Sequence, residues 1–137
     1  FSIGDIADVN QDGKSYVAYC FASVEGHSKL NTYIGNGSAD GTYVFTNFRP
    51  RWVMVKRTDT SGGWHIFDNK RANPFNEITV RLEADNADGE NTGGTPDIDF
   101  LSNGFKMRTT FDNMNASGGT YIYYAVAEIP FKYANAR

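Results

Sequence analysis

Two kinds of side-chain grouping in this chain have spacing that chemistry could use: oxygen clusters suited to a hard cation, and two carboxylates two residues apart. Asp8-Val9-Asn10-Gln11-Asp12-Gly13 opens like an EF-hand calcium loop. In such a loop oxygens at the first, third and fifth positions face the ion and a glycine at the sixth makes the bend. The bidentate glutamate that closes the loop at its twelfth position is here Tyr19, inside an apolar run. Half of the motif is missing, and an Asx/Gly turn leading into a strand accounts for the same residues. Asp8, Asn10 and Asp12 are therefore the candidate calcium ligands, with the turn as the favoured reading and no other cofactor expected. Asp85, Asp88 and Glu90 form a second acidic group, read first as a solvated loop tip.

Asp97 and Asp99 fall on one face of an extended segment. A glycosidase needs two carboxylates roughly 5–10 Å apart across a sugar-sized cleft, so the spacing permits hydrolysis, but residues beside a proline and a hairpin also serve as turn formers. His27 and His65 stand far apart with no HExxH and no partner cysteine, which disfavours zinc. GxSxG is absent, and Gly35-Asn36-Gly37 lacks the third glycine and the following helix of a phosphate cradle. No catalytic set emerges, and the chain reads as a non-enzyme. Binding chemistry is better served. Polar groups gather in candidate loops at Asn36, Ser38 and Asp40 and at Asp59, Thr60 and Ser61, with Trp64 beside them. Aromatic rings that stack on a sugar face, flanked by amides and carboxylates that read hydroxyls, are what a lectin-like site needs. Loops on a rigid scaffold are where such sites collect.

The elements that must position these residues read as strands. Short apolar runs recur between turn signals, with no helical period. Residues 16–22 (YVAYCFA) are apolar on both faces and predict a central buried strand, with Cys20 as a small core residue. Further strands are predicted over 42–48, 51–58 and 64–68, with Trp52, Met54 and Lys56 opposite Val53, Val55 and Arg57. Residues 77–83 should place Ile78, Val80 and Leu82 inward. Asn103-Gly104 marks a hairpin within 98–111, residues 84–96 form a long loop, and residues 120–129 form a last strand apolar on both faces. About eight strands with short turns predict an all-β fold, an antiparallel β-sandwich or jelly roll.

Bulk composition supports one domain and removes several functions. The chain has 137 residues, enough for one core without staples. The 15% aromatic content suits a pleated surface. A net charge of −3 leaves no basic footprint for nucleic acid, and Lys56-Arg57 and Lys70-Arg71 read as solvated strand edges. A single cysteine excludes an internal disulfide. No apolar stretch approaches the ~20 residues of a membrane-spanning helix, so no membrane insertion is expected. With Phe at its first position, the chain reads as a fragment of a longer protein, residues 1–14 a linker or domain start and 15–137 one β-sandwich domain.

Over residues 15–137 the sequence resembles a C-terminal domain of tail-fibre and other virion structural proteins of marine and related tailed phages. The run GNGS followed by F-R-P, then IDFLSNGFKMR and the ending TYIYYAVAEIPFKYANAR, carry the resemblance. Where that family keeps a simple turn before YVAYCF, this chain has the acidic DVNQDGK. The resemblance implies a concanavalin-like, lectin-like sandwich displayed extracellularly on the virion surface, in a tail fibre or on the capsid exterior. It implies attachment to a host cell-surface glycan or protein, contacts with other virion proteins, and a homo-oligomer, a trimer by analogy with fibres. The alternative is a purely structural virion or filament component without a ligand; a glycan depolymerase is a distant third.

Overall fold

A computed structural model describes residues 2–71, 76–93 and 97–129. Among them the chain forms eight strands and two four-residue helical turns. In order these are α1 (Ala7–Asn10), β1 (Ser28–Ile34), β2 (Tyr43–Phe45), β3 (Pro50–Arg57), β4 (Trp64–Asp68), β5 (Leu82–Glu83), β6 (Ile98–Leu101), β7 (Gly104–Met107), α2 (Asp112–Asn115) and β8 (Thr120–Ala127). One sheet has the order β1-β8-β3-β4-β5 and the other β2-β7-β6. All named pairings are antiparallel.

The core lies between the two sheets and follows from strand alternation. In β3 the buried residues are Val53 and Val55; in β8 they are Tyr121, Tyr123, Ala125 and Ala127. Against them stand Val44, Ile98, Phe100, Phe105 and Met107 of the smaller sheet, with Met114 of α2. Tyr33 stacks on Tyr121 at 4.9 Å, and Phe105 sets its edge to Tyr123 at 5.2 Å. Each such ring contributes about 1.5–3 kcal/mol through burial. Burying phenols also requires partners for their hydroxyls. Tyr33 donates to the Met114 carbonyl at 2.6 Å, and Tyr121 donates to the Asp112 carbonyl at 2.5 Å while accepting from the Ala116 amide. Burial raises the Tyr33 and Tyr123 hydroxyls, the latter to about 12, so both stay neutral at ordinary pH.

Several expectations are corrected. Residues 16–22 belong to neither sheet and are exposed: Val17 is 79% and Tyr19 82% exposed, and Cys20 is exposed rather than in the core. The centre of the sheet is β3, flanked by β8 and β4, and the edge beside β8 is β1, a strand whose polar Asn31 and Thr32 hide its inward Tyr33. An apolar run reports that a segment has two apolar faces, not that this chain covers both. The strand predicted over 42–48 shrinks to Tyr43–Phe45, and Asn47 beyond it has a left-handed φ of 70°.

Over 77–83 only Leu82–Glu83 joins a ladder; Ile78 and Val80 are buried, whereas Leu82 pairs with Ile66 and is half-buried. The Asn103-Gly104 hairpin forms one residue out of register. Leu101 pairs with Gly104, so the connection is Ser102-Asn103, and neither residue has positive φ. Gly104 serves packing instead, because a Cβ there would lie 2.2 Å from the Val44 carbonyl oxygen. Lys56-Arg57 is not an edge: β3 runs between β8 and β4, and both side chains are partnered.

Candidate functional site

Strand register brings three connections to one end of the sheets. Ile34 pairs with Thr120, Arg57 with Tyr121, and Lys56 with Trp64, so residues 35–42, 58–63 and 116–119 leave from the same edge. The predicted binding residues Asn36, Ser38, Asp40, Asp59, Thr60 and Ser61 lie in the first two of these loops. Their polar groups are largely spent on the loops themselves. Asn36 donates through Nδ2 to the Asp40 carbonyl and accepts from the Ser38 amide, while Ser38 Oγ accepts from the Asp40 amide. Asp40 forms an ion pair with Lys106, and that hydrogen bond holds its carboxyl below the usual range. Arg57 Nε donates to Asp59 at 2.7 Å, lowering the Asp59 carboxyl, and the guanidinium lies over the Tyr121 ring.

The residue that ties this end together is Asn115, fully buried at the close of α2. Its Nδ2 donates to Asn36 Oδ1, the Ser38 carbonyl and the Thr109 carbonyl at 2.8–3.0 Å, and its Oδ1 accepts from the Asn36 amide at 3.0 Å. Gly35 lets the two loops close, since a Cβ there would sit 2.2 Å from the Ala116 carbonyl oxygen. Nothing in the local sequence singles out Asn115, because it looks like one more turn asparagine; its weight comes from partners nearly eighty positions away.

Trp64 belongs to a different surface. The alternation that sends Tyr121 and Tyr123 into the core sends Ile122 and Tyr124 to the outer face of the five-stranded sheet. There the register lines up Leu30, Tyr124, Met54 and Ile66, and beside them Ile122, Lys56 and Trp64. Among the described residues no second sheet covers this face. Phe21 of the arm over residues 16–22 lies against Tyr124 at 4.6 Å, and Trp52 sets its edge to the same ring at 5.9 Å. Between arm and sheet lies a cleft of about 500 Å³, lined chiefly by Tyr19, Phe21, Met54, Trp64, Asp85 and Tyr124. Asp85 accepts the Trp64 amide at 2.8 Å, which fixes the carboxylate at the mouth of an otherwise apolar surface. Trp64 and Asp85 both stand out in the sequence, but for separate reasons; only the pairing of β4 with β5 brings them together.

The two carboxylates of residues 97 and 99 each face an arginine. Asp97, 2% exposed, receives Arg81 at 2.6 Å, yet burial outweighs the guanidinium and raises its carboxyl. Asp99, also raised by burial, has Arg108 at 3.5 Å. A substrate oxygen would have to displace Arg81 to reach Asp97, which weighs against the paired-carboxylate hydrolase. His65 points into the core, 1% exposed, with the Phe111 ring at 5.7 Å, Glu83 at 3.7 Å, and no hydrogen bond to either ring nitrogen among the described residues. Burial lowers its pKa despite the opposing pull of Glu83.

The predicted calcium ligands Asp8, Asn10 and Asp12 are exposed, the first two within the helical turn α1 rather than an extended ligand loop. Asp85 and Glu90 of the second acidic group are drawn to Trp64 and to Arg71 respectively. Among the described residues no group of three or more His, Cys, Asp or Glu is placed to hold a metal ion. No helix among them is long and apolar enough to cross a membrane.

The sequence model of a family described as Domain of unknown function (DUF7483) matches residues 1–130. The chain belongs to this family. Its match takes in residues 1–14 together with the sheets, so the family's extent includes the exposed arm. No curated protein and no solved structure matches the chain.

Proposed function

We propose that this DUF7483 domain is a non-catalytic binding module that holds a surface glycan or protein in the aromatic cleft on the outer face of its five-stranded sheet. The cleft is the observation that carries the reading. Its volume falls within the range of ligand sites, and its lining has their usual composition, apolar and aromatic walls with a few fixed polar groups. Trp64 and Tyr124 supply faces on which a sugar ring or an apolar side chain can stack, and Asp85 supplies an acceptor for a hydroxyl or amide.

Display on a virion, with a host cell-surface ligand and neighbouring virion proteins, rests on the resemblance of residues 15–137 to tail-fibre domains. The lectin-like and jelly-roll reading of the two sheets belongs to the same proposal and carries no function by itself. A purely structural role is the second reading, favoured by the exposed apolar arm.

The test is glycan-array binding by the recombinant chain and by Trp64→Ala, each with and without EDTA. Binding that falls roughly tenfold or more in the variant, with the circular dichroism spectrum unchanged, supports the cleft. Calcium has no part in the proposed contact, so EDTA leaves binding in place; its loss in EDTA would restore a cation site at Asp8–Asp12. No glycan binding and no difference between the two proteins would favour the structural reading.

A further inference from the structure

The cleft between the arm and the outer face of the five-stranded sheet brings four rings to one carboxylate. Tyr19 and Phe21 come from the arm, Trp64 from β4 and Tyr124 from β8, with Met54 of β3 on the same lining. Tyr19 and Phe21 are exposed and Trp64 and Tyr124 half-buried, so ring surface stays open to a ligand. Among the described residues no Lys, Arg or His lines the cleft. Lys56, which pairs with Trp64 across the strands, donates its ammonium to the Gly62 carbonyl instead.

The carboxylate is fixed but not neutralised. Asp85 Oδ1 accepts the Trp64 amide at 2.8 Å, which ties its charge to the backbone that carries the indole. Among the described residues Oδ2 accepts no hydrogen bond. No Lys or Arg there lies within ion-pair distance of Asp85, whereas Asp40, Asp59 and Asp97 each have such a partner.

We propose that the group this cleft holds is a quaternary ammonium, a cationic nitrogen whose substituents are methyl and alkyl carbons. Three properties of the walls select it. Ring faces attract a cation through their quadrupoles, most strongly where water is displaced. The unpaired carboxylate adds a full opposite charge, which repels an anion and which a neutral hydroxyl would leave uncompensated in a covered site. Apart from Asp85 and tyrosine hydroxyls, the walls are ring faces and alkyl groups. A bare ammonium brings three N–H donors to that surface, and each one left unmatched is costly. A fully alkylated nitrogen has no donor to leave unmatched, and its methyl groups pack on the rings and on Met54. This assignment rests on the cleft being the ligand site, as proposed above, and names the chemical class it takes.

The test is an NMR titration of the 137-residue chain with choline, read at the Trp64 indole. Two analogues stand beside it: the uncharged isostere, with tert-butyl in place of trimethylammonium, and ethanolamine, with a bare ammonium. Choline should bind roughly tenfold more tightly than either. Asp85→Asn keeps an oxygen for the Trp64 amide and removes the charge, so choline should lose most of its advantage while the isostere binds as before. Trp64→Ala should weaken both. Equal affinity for choline and the isostere, equal affinity for choline and ethanolamine, or an advantage untouched by Asp85→Asn would overturn the quaternary ammonium. Glycan binding that is lost in Trp64→Ala but shows no response to choline would overturn the assigned group and leave the cleft as the ligand site. Absence of both glycan and choline binding would overturn the cleft itself.

Discussion

Aromatic residues in this chain divide into two populations that their identity does not distinguish. Phe67 is fully buried between the sheets, whereas Phe21, in a more apolar stretch of sequence, keeps half its surface in solvent. Truncating Phe67 to Ala removes transfer energy and leaves a cavity in a packed layer, at a cost of about 3–5 kcal/mol. Phe21→Ala loses only part of its burial and one ring contact with Tyr124, a cost nearer 1 kcal/mol. Urea denaturation of the two variants at one pH checks the contrast. Equal losses for the two would mean that the arm is part of the core and that its exposure has been misread.

At the scale of elements, neither signal sufficed alone: alternation placed β3 but failed over 77–83, and two-faced apolarity placed β8 but failed over 16–22. β3 and β4 could be read from sequence nearly to the residue because Val53, Val55 and Phe67 recur at every second position and are covered by the smaller sheet. The inward and outward sets of β8 follow the same rule. Residues 16–22 show why apolarity alone misleads, since coverage depends on what lies opposite, which no local pattern encodes. β1 was missed for the converse reason: half of an edge strand faces solvent, and its polar residues mask the period. In the candidate site, Trp64 was legible from its place beside a polar loop, but its neighbours Met54 and Tyr124 come from strands paired across the sheet.

Asn115 is the clearest case of an element held by a distant residue. One amide satisfies groups from the 35–42 loop and the Thr109 carbonyl, so Asn115→Ala removes several part-buried hydrogen bonds at once. Each contributes about 0.5–1.5 kcal/mol net, and more than one is lost here. The expected result is a destabilisation of about 3 kcal/mol in urea, and faster amide exchange at Gly37 and Ser38 than in β8. Asn115→Asp, which turns a carboxylate oxygen toward three acceptors in a buried site, should be destabilised at least as much as Asn115→Ala in the same titration.

For the molecule as a whole, the buried His65 sets how stability answers to mild acid. Its folded pKa lies below the ordinary 6.5, with burial the main cause and Glu83, Arg81, Asp85 and Lys56 the charges that face it. The unfolded chain therefore takes up a proton before the folded one does, so stability rises with pH through the window below 6.5 and is lost as pH falls through it. Asp97 and Asp99 act with the opposite sign, because their folded carboxyls lie above 3.8. The folded chain protonates first there, and that contribution is present at low pH and lost as pH rises above 3.8 through the raised folded values.

The two contributions have opposite signs, so the histidine's is isolated by comparing the parent with a variant that lacks the ring over the range just below pH 6.5. Replacing His65 with Leu removes both the titration and two ring nitrogens that have no hydrogen bond among the described residues, so His65→Leu should hold its urea midpoint across that range while the parent's falls. Parallel losses in the two proteins would place the acid sensitivity elsewhere. The same core that excludes water from His65 holds the five-stranded sheet against the smaller one. A midpoint that falls in the parent and holds in the variant would therefore tie the packing of the two sheets to the charge state of one ring.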